Sequence, residues 1–150
     1  MRAPIIDATG RFTVTRALLV SIVDDDEGVR MATGGLVESF GYDVQTFDSG
    51  EAFLGSEWLE KTRCLIVDVQ MPGISGAELH EHLLKSGKKI PVIFITAFPR
   101  SSTRDQVLKR GAVAYLTKPF DREALLSGIQ RAIGDDRDGG STHIEPKADK

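Results

Sequence analysis

From residue 17 to residue 133, short apolar runs alternate with stretches in which apolar residues return every three or four positions. The runs at residues 17–23, 43–47, 64–67, 91–95 and 114–116 are too short for helices and rich in aliphatic or β-branched residues, so each predicts a strand. The first intervening segment sets Val29, Thr33, Leu36, Val37 and Phe40 on one helical face, with Gly41 as a stop. Inside it Gly34 and Gly35 each cost about 1 kcal/mol relative to alanine, a cost the sequence does not explain.

A weaker helix is predicted over residues 50–59. The third opens on the capping-box pattern Ser75-Gly-Ala-Glu78, turns Leu79, Leu83 and Leu84 inward and ends near Ser86-Gly87. The fourth, residues 102–110, is polar and anchored by Val107 and Leu108. Asp121 can cap a fifth that buries Leu125, Leu126, Ile129 and Ile133, with Phe120 stapling its start against Leu125. Five strands each followed by a helix, several strands apolar throughout, predict an α/β fold: a doubly wound, five-stranded parallel sheet flanked by five helices. Residues 1–16 lack a clear period and residues 134–150 are polar, so both are expected to be tails around one domain at 17–133.

Length and composition agree with one core: 150 residues, 41% hydrophobic and 27% charged, describe an ordinary globular domain. A net charge of -3 supplies no field that would draw the chain onto nucleic acid, so no direct nucleic-acid binding is expected. Cys64 stands alone in an apolar run, which excludes an internal disulfide and fits a buried thiol in a reducing compartment. The apolar stretch 17–23 is far shorter than a membrane span and meets Asp24, Asp25 and Asp26, so a cytoplasmic protein without signal peptide or anchor is expected.

The stretch CLIVDVQMPG runs a doubly buried strand into one carboxylate, Asp68, just before a chain breaker. In open α/β sheets, ligands bind at the C-terminal strand ends where the strand order reverses. Asp24 and Asp25 end the first strand. If the first and third strands are neighbours, about 4.8 Å apart, three carboxylates crowd one edge and repel each other unless a cation joins them. Hard oxygen ligands suit Mg²⁺ or Mn²⁺. Thr96 follows the fourth strand and Lys118 the fifth. A carboxylate nucleophile, a divalent cation, a hydroxyl and a fixed ammonium are what transfer of a phosphoryl group onto aspartate requires.

Several neighbours have plainer readings. Asp26 serves as a helix cap. His80, His82 and His143 read as surface residues, since the first two lie two apart on a helix and face different ways. Arg100, Arg104, Lys109 and Arg110 read as a solvated basic face. A strand-end aspartate also serves aspartyl-phosphate phosphatases, but these commonly carry a second acid two residues on, where this chain has Gln70. A flavodoxin-type binding module would need a Gly/Ser/Thr-rich loop after the first strand, where the three acids stand.

The segments IVDDDEGVR, LIVDVQMPGISGAEL, PVIFITA and GAVAYLTKPF, in this order, resemble the response-regulator receiver domain of two-component signalling, and MPGISG looks most like FixJ-type receivers. The resemblance covers roughly residues 17–133 and implies a flavodoxin/CheY-like sheet of order 2-1-3-4-5. It also implies that Asp68 accepts the phosphoryl group, Asp25 binds the metal directly, Asp24 binds it through water, and the Gln70 carbonyl completes the metal shell. Thr96 and Tyr115 would act as the switch, Lys118 would hold the phosphoryl oxygens, and the Lys118-Pro119 bond would be cis. The implied partners are a sensor histidine kinase or phosphotransfer protein, and a second copy across the face of the fourth helix, fifth strand and fifth helix. The alternative on the same fold is an interaction module that works without phosphorylation.

Overall fold

A computed structural model of the chain describes residues 4–6, 12–14 and 18–139, with side chains for 18–134. Strands β1 (Pro4–Ile6) and β2 (Phe12–Val14) pair antiparallel, with Ile5 opposite Thr13. They fall within the stretch expected to be an N-terminal tail. The main sheet comprises β3 (Leu19–Val23), β4 (Asp43–Phe47), β5 (Cys64–Asp68), β6 (Val92–Thr96) and β7 (Ala114–Thr117). All neighbours are parallel and the order is β4-β3-β5-β6-β7, which is 2-1-3-4-5 when counted within the sheet. Residue 17, expected to open the first strand, lies outside the described residues, as does the C-terminal stretch beyond 139.

A helix follows each strand: α1 (Glu27–Ser39), α2 (Gly50–Leu54), α3 (Gly76–Lys85), α4 (Ser101–Lys109) and α5 (Arg122–Gly139). The helices cover both faces of the sheet. On one face Val37 of α1 and Leu125, Ile129 and Ile133 of α5 pack on Val20, Ile22, Ile66 and Ile95. On the other, Phe53 of α2, Leu79 and Leu83 of α3 and Val107 of α4 pack on Leu65, Val67 and Phe94. Phe120, partly buried, packs against the first cluster. Strands β3, β5 and β6 are buried along their whole length, which is why they read as predominantly apolar runs, with Ser21 in β3 paired to the Thr62 hydroxyl. The capping box at Ser75 and Glu78 forms as predicted, each side chain accepting from the other residue's backbone N–H.

Three details differ from the sequence reading. The second helix stops at Leu54 because Gly55 closes it, and only a 3₁₀ turn at Leu59–Lys61 follows. On α3, Leu84 is 47% exposed, whereas His80 is buried and packs edge-on against Phe94 at a ring separation of 5.6 Å. The buried stripe of α3 runs through Gly76, Leu79, His80 and Leu83, which turns Leu84 out onto its flank. His82 is exposed as expected, and His143 lies outside the described residues. Gly34 lies buried against Val44 and Thr46 with room for a methyl group, and Gly35 faces open space, so nothing in the packing requires either glycine.

Candidate functional site

The parallel sheet brings the C-terminal ends of β3, β5, β6 and β7 to one edge. At the end of β3 the Asp24 backbone N–H continues the ladder to the Phe47 carbonyl at 3.1 Å. That places the Asp24 side chain fully out of solvent. Asp26 caps α1 by accepting from the Val29 N–H at 3.0 Å, and its own N–H donates to Asp24 Oδ1 at 2.9 Å. From the second turn of α1, Arg30 donates to the Asp24 carbonyl at 2.8 Å. The turn that carries Asp24 and Asp25 is thus held at side chain and backbone alike.

Asp68 is the last residue of β5 and is 7% exposed. Its Oδ1 accepts from the Gln70 N–H at 3.1 Å. The Lys118 ammonium donates to Asp68 Oδ2 and to Asp24 Oδ2, both at 2.9 Å. Lys118 is itself positioned by its backbone N–H, which bonds the Thr96 carbonyl at 2.8 Å, and it precedes a cis peptide to Pro119. Among the described residues, Asp24, Asp25 and Asp68 each offer a carboxylate oxygen within 4.8 Å of the others'.

Burial pushes the Asp68 carboxyl above its ordinary range, and the charge of Asp24 adds to the rise, against the hydrogen bonds and charge of Lys118 and the Gln70 N–H. Lys118 pays a burial penalty of its own, yet hydrogen bonds and charges from Asp24 and Asp68 outweigh it and raise its pKa above the ordinary lysine value. Lys118 is therefore a secure cation and Asp68 a reluctant anion. Three carboxylates face one ammonium, and the donor set holds only hard oxygens. Each carboxylate oxygen can take a second contact, and Asp25 stands exposed at the rim. This donor set fits a hard divalent cation such as Mg²⁺.

The structure brings Asp24, Asp25, Asp68 and Lys118 together and sets Gln70 directly against Asp68. Thr96 and Tyr115 lie on the neighbouring strands β6 and β7 but are engaged elsewhere. The fully buried Thr96 accepts at Oγ1 from the Phe98 N–H at 3.0 Å, and the half-buried Tyr115 hydroxyl accepts from the Arg100 N–H at 3.1 Å. Sequence reasoning missed Arg30, whose only signal was a cation one turn after the helix cap. It also missed Glu51, whose carboxylate accepts from the Ile74 N–H at 3.2 Å in the loop that follows Asp68.

A family model described as the response regulator receiver domain matches residues 20–130. Response regulator protein TodT of Pseudomonas putida is 39% identical over 118 residues, covering 79% of this chain and 52% of the relative. Transcriptional regulatory protein FixJ of Azorhizobium caulinodans is 36% identical over 118 residues, covering 79% and 56%. The solved structure of response regulator StyR matches with a TM-score of 0.74 at 37% identity, covering 83% of this chain and 64% of that one. The crystal structure of FixJ-N matches with a TM-score of 0.70 at 30% identity, covering 87% and 100%. The chain spans about half the length of the curated relatives it matches. With the family model running from β3 into α5, the chain belongs to the response regulator receiver domains of two-component systems.

Proposed function

We propose that this receiver, residues 17–133 between two flanking segments, takes a phosphoryl group from the phosphohistidine of a sensor histidine kinase or phosphotransfer protein onto Asp68. The observation that carries the reading is the setting of Asp68: a carboxylate at the end of a buried strand, one oxygen held by the Gln70 N–H and the other by Lys118. Fixed in this way, the nucleophile needs little reorganisation before an in-line attack. The donor's phosphorus–nitrogen bond breaks as the oxygen–phosphorus bond to Asp68 forms, and the imidazole leaves. Lys118, anchored on Asp24, stays beside the new phosphoryl oxygens and offsets their charge.

Asp25, Asp68, the Gln70 carbonyl and, through water, Asp24 would hold Mg²⁺ or Mn²⁺, whose charge, when bound, neutralises the transferring oxygens. The switch follows from the new dianion. Thr96 would exchange the Phe98 N–H for a phosphoryl oxygen, and Tyr115 would give up Arg100 and turn inward. A phosphoryl group that bonds Thr96 only in the second arrangement shifts the population toward it by that difference in affinity. Arg100 opens α4, so the change reaches the face of α4, β7 and α5. That face would then engage an output partner or a second copy of the chain. The protein on this reading is a signalling switch that assists its own phosphorylation and dephosphorylation.

The test is intact mass after incubation with Mg²⁺ and acetyl phosphate. One added phosphoryl group, absent without Mg²⁺ and absent in Asp68→Asn, is the expected result. No gain in folded wild type would overturn the phosphoryl chemistry and leave the phosphorylation-independent interaction module.

A further inference from the structure

Residues 69–75 connect Asp68 to α3, and three contacts determine their path. Gly76 packs its α-carbon against the Asp68 carbonyl so closely that a Cβ there would lie 2.3 Å from the oxygen. Ile74 lies on the start of α2, where a Cβ on Gly50 would meet its Cδ1 at 2.7 Å. The third contact is Glu51, on the first turn of α2, whose Oε2 accepts from the Ile74 N–H at 3.2 Å. Gly73 has φ +76°, a conformation that L side chains rarely adopt, and a Cβ on it would stand 2.6 Å from the same Glu51 oxygen. The Glu51 carboxylate therefore sits flush against the Gly73-Ile74 peptide and ties the far half of the loop to α2. At its near end the same loop carries Gln70, whose N–H orients Asp68.

We propose that Glu51 is a positioning residue: by holding the Gly73-Ile74 peptide from α2, it fixes the path of residues 69–75 and with it the Gln70 peptide that orients Asp68. Glu51 touches neither Asp68 nor the acidic cluster, so its effect is indirect and geometric. For the metal it rests on the reading above, in which the Gln70 carbonyl is a ligand. A loop free to wander presents that carbonyl in fewer of its conformations, which weakens binding by the fraction lost.

Two variants separate the acceptor from the charge. Glu51→Ala removes both, whereas Glu51→Gln keeps an oxygen that can accept from Ile74. The readout is residue-resolved amide hydrogen exchange on the full chain without Mg²⁺. With one hydrogen bond lost, the Ile74 and Gln70 amides of Glu51→Ala should exchange roughly three- to tenfold faster than in wild type. The Val69 amide, bonded to the Ile95 carbonyl in the sheet, should not change, and Glu51→Gln should follow wild type. Unchanged Gln70 exchange in Glu51→Ala, or equal acceleration in both variants, would overturn the proposal. A second readout is the Mg²⁺ concentration that gives half-maximal thermal stabilisation, which should rise in Glu51→Ala and not in Glu51→Gln. Wild type that gains no stability from Mg²⁺ would sink the metal reading, while the exchange rates would still decide the role of Glu51.

Discussion

Gly76→Ala places a methyl group where the backbone leaves no room. Its Cβ would lie 2.3 Å from the Asp68 carbonyl oxygen, 3.0 Å from the Asp68 carbonyl carbon and 3.1 Å from the Val69 α-carbon. All three are backbone atoms at the end of a buried strand, so none can rotate aside. To reach ordinary contact at 3.4 Å, the start of α3 must move away by about 1 Å, pulling on the Gly76 N–H bond to the Val69 carbonyl at 2.9 Å. Overpacking of this kind costs about 1–3 kcal/mol, and the better helix propensity of alanine returns at most about 1 kcal/mol. A net loss of roughly 1–2 kcal/mol lowers Tm by roughly 2–8 °C in a chain of this size. Gly35→Ala is the internal control: Gly35 is an exposed position on α1 with nothing within 4 Å of its Cβ, so Tm should rise by roughly 2–4 °C. Thermal unfolding by circular dichroism at pH 7 measures both. Gly76→Ala as stable as wild type would refute the steric argument, and loss of stability in Gly35→Ala would refute the propensity argument. Because the displaced atom belongs to Asp68, the proposed acceptor, Gly76→Ala should also take up the phosphoryl group more slowly.

Lys118→Met leaves the fully buried Asp24 and the nearly buried Asp68 without their shared cation, which should cost about 3 kcal/mol in urea unfolding at pH 7 without divalent metal. Added Mg²⁺ should recover part of it, and stability equal to wild type would contradict the pairing. Burial, with the nearby charge of Arg110 adding to it, lowers the His80 pKa in the folded chain below the 6.5 of an ordinary histidine. Between those two values the unfolded chain holds the extra proton, so stability is full above about pH 6.5 and declines as pH falls through it. His80→Phe, which keeps a ring against Phe94, should flatten that part of the pH profile, and a slope unchanged from wild type would exclude His80 as its source. Burial pushes the Cys64 thiol up to about 12, so the folded chain should resist a thiol reagent at pH 8 and react once unfolded. The folded thiol stays protonated between pH 9.0 and about 12 while the unfolded one ionises, so stability should fall as pH rises through that window.

The main sheet was legible because burial on both faces leaves few polar residues within a run. Strands β3, β5 and β6 are buried throughout; β5 and β6 appear in the sequence as four apolar residues before one polar residue, and β3 as four aliphatic residues around Ser21, whose hydroxyl is paired with that of Thr62 at 2.7 Å. The edge strand β4, half exposed, survives in the sequence mainly through Val44 and Phe47. Helix faces were legible to within one position. The stripe on α3 admits either His80 or Leu84 beside Leu83, and residue hydrophobicity favours Leu84. The packing chose His80, whose ring lies against Phe94 with its Nδ1 buried and unpaired. Strands β1 and β2 escaped notice because each is three residues long, too short to show alternation.

The site was legible for a different reason. A parallel sheet gathers every C-terminal strand end at one edge, so a polar residue that ends an apolar run is placed by topology before any contact is known. Asp24, Asp68 and Thr96 follow from that rule, and Lys118 follows from its position just beyond β7. The groups that hold them do not, because they act on peptide atoms that every residue possesses. Arg30 grips a carbonyl, Glu51 grips an N–H, and the Thr96 hydroxyl is held by the Phe98 N–H. No residue type marks the far end of such a bond, so no spacing rule finds it. The same distinction separates chemistry from timing. On the proposed function, strand ends determine which side chains meet the phosphoryl group, whereas loop peptides determine what each side chain must release first. Exchanging the strand-end residues should therefore change what the receiver can do, and exchanging the loop anchors should change how readily it does it.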